Sequence, residues 1–510
     1  MRGLFVPCVV FGAALAAGLA LVSPIALVWA DGTSVLQAEL LVQNMPEASA
    51  AGAMTAVMVA VVIGALGIPV LSWLAVVCGL AGVMVDHLAA GALTPAPALT
   101  TLDYADGLWG GVILGGLAAV PARPGVRIAF VLGAVASIVG GTLTETPLSY
   151  RAPRPTASQS WPFLDSPPLW LVGPLLMLAV WCAWRNRRTP LPPVRRVMFG
   201  APTEVPLRPV ISALLVVVAT LWSSSWLADG RVDVAAVVLA VAVVVLAAVV
   251  AGWLLPGPDG ELVTGAVALT TVASAVIFVP MPWWSIWGLI LAVVAGFVVG
   301  KRRTATLLAP VCVAVIAAAV AGVEALGHGG DGVRIAAALA LAFTAGCLFA
   351  VAGSLDGRNL VVATALLFVP SVVIAMRGRD FGRAVYSPKW LQLSGDVHAC
   401  APCLAAAAIA AGCAAGVYLQ RKCRPDHRTG SIETPVATAR SGLDATSPSA
   451  SPRSAPPSPG EQRAEDGRAT PAKPPPTGTA PDTRSRSSAR AADPPSAQSH
   501  PIPKGAAPPC

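Results

Sequence analysis

The chain is 510 residues long, 55% hydrophobic and only 12% charged, with a formal net charge of +8. Soluble domains carry about 25% charged residues, so this composition excludes an ordinary soluble globular protein. The excess of positive charge fits Arg-rich loops on one side of a membrane better than a nucleic-acid surface.

A membrane-spanning helix needs about 20 apolar residues. Runs of this kind lie at about 4–29, 53–71, 73–92, 107–121, 126–144, 168–184, 209–228, 233–255, 261–280, 283–300, 304–326, 333–353, 359–376 and 400–420. The pattern predicts an all-α, polytopic membrane bundle of about fourteen helices. The runs do not alternate polar and apolar residues, as barrel strands must. The first run is longer than the core of a signal peptide and many spans follow it, so it reads as the first helix. The ten cysteines do not form a disulfide framework, since several of them sit inside apolar runs.

With the N-terminus placed in the cytoplasm, the inside connections include ARPGVR (122–127), RNRRTPLPPVRR (185–196), KRRT (301–304) and QRKCR (420–424). The outside connections include 31–49, 94–106, 229–233 and 280–285, which carry few cations. Basic clusters thus fall inside, apart from RGRDFGRAVYSPK (377–389). Trp161, Trp170, Trp283, Trp284 and Trp390 are placed at the outer interface. Both termini are expected in the cytoplasm of a plasma-membrane protein. Residues 425–510 are rich in Pro, Ser, Ala and Arg, as in SPSASPRSAPPSPGEQ (447–462), and predict a disordered cytoplasmic tail. That tail is either a solvated tether or a docking segment for a cytoplasmic partner.

SPPLWLVG (166–173) precedes the sixth run and SPKWLQLSG (387–395) the fourteenth. Equal spacing divides the chain into six helices (1–184), a basic linker (185–208), two added helices (209–260) and six more (261–424). Related halves joined by a cytoplasmic connection are a common transporter design. Ser-Pro-aromatic elements also serve simply as interfacial helix starts.

GLWGGVILGGLAAVPARPGVRIAFVLGAVASIVGGTL (107–143), with the Gly-rich GAVASIVGG (133–141), and LWLVGPLLMLAVWCAWRNRR (169–188) resemble helices four to six of the fourteen-helix drug/proton antiporters of the major facilitator superfamily. The resemblance implies a secondary transporter, with efflux coupled to protons. The family's acidic and basic motif between helices two and three is replaced here by GIPVLSW (67–73).

Asp86 and His87, in VMVDHLAAG (83–91), are the candidate proton-coupling pair. A carboxylate and an imidazole in a desolvated site suit that chemistry. Their other reading is a polar cap, if the helix ends near residue 86. Asp31, Glu39, Asp103 and Asp106 lie in the expected outer loops. They are the candidates for a second class, a membrane enzyme acting on lipid-linked substrates such as a glycosyltransferase. A non-transporting scaffold is a third. Glu324 and Arg334 are placed to pair across a short loop. Cys400 and Cys403, in HACAPC (398–403), form a CxxC at the start of the last helix. A helix N-terminus is where thiols are activated, although a four-residue motif in an Ala-rich helix also arises by chance. No metal site or cofactor is expected, and P-loop, HExxH and GxSxG motifs are not present. The expected partners are membrane lipid and a small-molecule substrate of unknown identity.

Overall fold

A computed structural model describes residues 2–22, 35–90, 96–120, 123–144, 167–187, 207–229, 234–276, 284–302, 308–327, 331–355, 357–373 and 400–423. Asp31, Trp161, Ser166, Trp283, Trp390, SPKWLQLSG (387–395) and the tail 425–510 lie outside these residues. The described residues form helices and turns, with no strand among them. The helices are α1 (Arg2–Val22), α2 (Val35–Leu66), α3 (Pro69–Ala90), α4 (Ala96–Ala118), α5 (Pro124–Thr144), α6 (Leu169–Asn186) and α7 (Leu207–Asp229). There follow α8 (Val234–Leu254), α9 (Pro258–Val276), α10 (Ser285–Arg302), α11 (Leu308–Ala325), α12 (Asp331–Phe349) with a 3-10 turn (Ala350–Ser354), α13 (Gly357–Leu366) and α14 (Cys400–Cys423).

Among the described residues, ten of these helices are long and apolar enough to cross a membrane, and α5 adds a shorter apolar stretch, Pro124–Val139. The helices outside the ten are α4, α5, α9 and α13. The last two are walled in: α9 is buried along nearly its whole length and every assigned residue of α13 except Arg358 and Asn359 is buried. A helix whose neighbours are protein has less need of an apolar surface than one facing lipid. Lipid-facing character falls instead on the outer helices, where Met177, Trp181, Val218, Trp222, Leu246, Leu291 and Val315 are exposed.

Three boundaries differ from those read in the sequence. The second helix begins at Val35, so most of the expected outer loop 31–49 is helical; its Leu, Gln, Ala and Glu residues are good helix formers. The fourth begins at Ala96, so residues 96–106 are helix and not loop. The thirteenth ends early, at Leu366. Leu367, Phe368 and Val369 donate to carbonyls three residues back, and the helix winds down before Pro370.

Two ends of the bundle can be distinguished: a near rim, where α1 begins, and a far rim, where α1 ends. At the near rim, Gly67 takes a left-handed φ of 65° and turns α2 into α3, and Gly257 does the same between α8 and α9 at 49°. Across this rim Ser72 donates to the Ala119 carbonyl and Ser212 to that of Ala251.

Lipid offers no hydrophobic force between helices, so close backbone packing has to hold them. The parallel pair α2 and α4 meets through Gly52, Gly107, Gly111 and Gly115, where an added Cβ would strike the opposing carbonyls. The parallel pair α10 and α12 meets in the same way through Gly296, Gly300 and Gly346. Among the first six helices, α1 packs on α4, α5 and α6, and α3 packs on α4 and α6. Among the last six, α9 packs on α12, α13 and α14, and α11 packs on α12 and α14. Helices α7 and α8 pack on each other, α7 also on α2 and α13, and α8 also on α9 and α14. Contacts between the two sets run along α2 with α13 and α5 with α10. At the near rim, Arg358 of α13 donates from Nη2 to the Gly64 carbonyl of α2 at 2.7 Å, and Gly357 lies against the Ala118 carbonyl. Toward the far rim, Phe368 reaches Gly18 of α1.

The glycine crossing gives the first test. Gly111→Val should destabilise the bundle by about 1–3 kcal/mol through overpacking, seen as a lower Tm in detergent. Gly322→Ala, where nothing lies within 4 Å of the new Cβ, should leave Tm unchanged or slightly higher.

Candidate functional site

The buried face of α3 runs through Trp73, Val76, Leu80 and Val83. The steps of three and four residues carry this stripe on to Asp86 and His87. The helix continues to Ala90, so the pair lies within it and not at its cap. Both residues are buried, at 6% and 5% exposure. The opposing stripe on α4 runs through Asp106, Trp109, Ile113 and Gly116; Gly82 lies against Trp109, Gly79 against Ile113 and Gly116 against Ser72, so Asp106 meets α3 at the height of His87.

His87 Nε2 and Asp106 Oδ2 are 3.3 Å apart, with both side chains fully buried. Asp86 lies close enough to interact electrostatically with both His87 and Asp106. Its Oδ2 is buried with no hydrogen-bond partner among the described residues. Two carboxylates and one imidazole therefore share a desolvated space near the far rim. With His87 protonated and both acids ionised, the group carries one net negative charge. One further proton makes it neutral, and the cost of an unpaired charge in such a place is several kcal/mol. The arrangement is chemically suited to take up and release a proton.

A second polar group lies at the near rim. Asp259 and Glu261 sit in the first turn of α9, where acidic residues complement the helix dipole. Arg421 of α14 donates from Nε and Nη2 to the two carboxylate oxygens of Glu261, at 2.8 Å each. Asn359 of α13 donates to Asp259. Gln420 donates to the Val249 carbonyl of α8 at 3.4 Å. These bonds tie α8, α9, α13 and α14 together. Reading the sequence missed the pairs because Arg421 was counted as an orienting loop charge. Acidic residues directly after the turn PGPDGE (256–261) were the available signal.

The structure thus brings together Asp86, His87 and Asp106. Asp106 was grouped with the outer-loop acids; it is instead fully buried on α4, beside His87. Glu39 falls in α2 and Asp103 in α4, both helical, so neither belongs to a loop. Asp31 lies outside the described residues. Glu324 Oε2 accepts a contact from the Cys403 thiol at 3.7 Å. Cys400 and Cys403 occupy the first turn of α14, as the sequence predicts. A groove of about 510 Å³ between α11 and α14 is lined by Val and Ala alone, including Val311, Ala314 and Ala411, and offers no polar chemistry.

No family model matches the chain, and no curated protein matches it. Among solved structures it is similar to the crystal structure of an auto inhibited POT family peptide transporter, with 14% sequence identity and a TM-score of 0.42, over 82% of this chain and 97% of that one.

The buried triad predicts strong coupling between its members. Removing one partner of a buried ion pair costs about 3–5 kcal/mol, so His87→Gln and Asp106→Asn should each lower stability in detergent. In a double-mutant cycle the combined variant should be less destabilised than the sum of the two by about 1–3 kcal/mol. Additive losses would mean that the two side chains do not interact.

Proposed function

We propose that the chain is a proton-coupled secondary transporter of a small solute, working by alternating access between two six-helix halves, α1–α6 and α9–α14, with α7 and α8 inserted. The observation that carries this reading is the matching set of packing partners in the two groups. Each α1 contact named above has its counterpart in α9, each α3 contact in α11, and the α2–α4 crossing in α10–α12. Two halves that meet along only a few helix pairs have a natural seam about which to rock.

The triad of Asp86, His87 and Asp106 is the proton-handling site in this reading. It lies on the packed interior of one half, where a change of charge alters the balance between two packings. Transport in the efflux direction follows from the antiporter resemblance of residues 107–188.

Orientation follows from charge. Arg123, Arg127, Arg185, Arg208, Lys301, Arg302, Arg421 and Lys422 all belong to helix ends at the near rim. On the positive-inside rule we read that rim, where α1 begins and α14 ends, as the cytoplasmic one.

Spin labels introduced through noncanonical residues test the reading without knowledge of the substrate. Ile68 with Leu308 reports on the near rim and Leu88 with Leu326 on the far rim; all four side chains are exposed. Acidification should change the two distances in opposite directions. Asp86→Asn should hold one distribution at every pH, and Arg358→Ala should lengthen the near-rim distance by removing the bond to Gly64. Distances at both rims that ignore pH would reject the proposal.

A further inference from the structure

The CxxC at the far end of α14 takes no part in proton handling, yet its surroundings are specific. Cys400 is the first residue of the helix and partly exposed, whereas Cys403 is fully buried. The Cys403 thiol lies 3.7 Å from Glu324 Oε2 on α11 and 3.8 Å from the Ala275 carbonyl on α9. Residues three apart on an α-helix have Cα atoms about 5 Å apart, inside the span a disulfide bridges. A bond between the two sulfurs therefore needs side-chain rotation and no movement of the backbone.

From this geometry we infer that Cys400, Cys403 and Glu324 form a thiol–disulfide exchange site acting on disulfide-bearing peptides or proteins at the far rim. The accessible Cys400 sulfur, as thiolate, attacks the partner's disulfide. A mixed disulfide forms and the partner's first sulfur leaves as thiolate. Glu324 takes the proton from the Cys403 thiol, and the resulting thiolate attacks Cys400 Sγ. The mixed disulfide breaks, the partner's second sulfur leaves, and the Cys400–Cys403 disulfide remains. The partner gains two electrons and the cysteine pair loses them; the released protons end on the partner's thiolates. The reverse sequence oxidises a partner dithiol.

The division of labour follows from access. Only a partly exposed sulfur meets a polypeptide substrate, and only a sheltered one waits for the intramolecular step. A carboxylate against the sheltered thiol supplies the base that this second step requires.

Oxidised glutathione is the probe. Full-length protein in proteoliposomes is equilibrated with glutathione redox buffers, acid-quenched, alkylated and digested, and the peptide spanning residues 390–421 is weighed. The unmodified chain should pass from dithiol to internal disulfide in one two-electron step. Cys403→Ser should accumulate glutathione on Cys400, and Cys400→Ser should leave Cys403 unmodified. Glu324→Gln should form the mixed disulfide at the normal rate and resolve it about 100-fold more slowly. Two thiols that stay reduced across the buffers, or a Cys403→Ser chain without a glutathione adduct, would overturn the site. Unchanged resolution in Glu324→Gln would remove the carboxylate from it. The titration of the unmodified chain keeps the test valid even if a variant folds poorly.

Discussion

Everything else in this bundle depends on how closely α2 and α4 approach. Lipid tails are as apolar as leucine side chains, so burying leucine between two helices in a membrane gains little. What holds them is contact between backbones, and that contact needs positions without a side chain. Gly107, Gly111 and Gly115 recur every four residues and lay one face of α4 on α2. Gly110 sets another face on α1, and Gly116 a third on α3. With three neighbours seated this tightly, α4 becomes the axis of its half. Its Asp106 is then sealed from both water and lipid.

Tight seating also decides where charge is tolerated. A carboxylate facing hydrocarbon would cost several kcal/mol. The same group facing a packed protein interior meets a partner within reach, as Asp106 meets His87 and Glu261 meets Arg421. This explains why α4 and α9 fall short of the apolarity of the other spans and still belong to the bundle. Their polar residues answer to neighbouring helices and not to the membrane.

The fold was legible wherever the signal was local. Runs of apolar residues gave the number of helices, because spanning length is a fixed requirement of the bilayer. Asp86 and His87 were legible because an ionisable pair stands out at the end of an apolar run. The partner of His87 was not legible. Asp106 lies 19 residues away on another helix, and its run looked like loop because Thr94, Pro95 and Pro97 precede it and two aspartates interrupt its hydropathy. The contact of Glu324 with Cys403 was hidden for a related reason, since the two lie 79 residues apart on α11 and α14. Arg358 and Arg421 were hidden because a cation at a helix end serves orientation and pairing alike, and composition reports only the first.

The two polar groups sit at opposite rims, and this asymmetry bears on mechanism. If the halves are related by their packing, their chemistry has diverged. The first half buries its acidic residues, Asp86 and Asp106, between α3 and α4 at the far rim. The second buries Asp259 and Glu261 at the near rim, where bonds from Asn359 and Arg421 bind α9, α13 and α14 into one unit. Arg358 projects from that unit to a backbone carbonyl on α2. A carbonyl acceptor keeps its character at any pH, so this link does not respond to protonation by itself. Under the proposed mechanism the pH-sensitive element and the latch are therefore separate parts. Protonation changes the charge between α3 and α4, α4 and α2 are locked together through their glycines, and α2 ends at the carbonyl that Arg358 holds. The route from far-rim chemistry to near-rim closure then runs along the glycine crossing, where the two backbones are in contact. In the proposed mechanism, close seating at that crossing is what would carry the effect of a proton at one rim to the other.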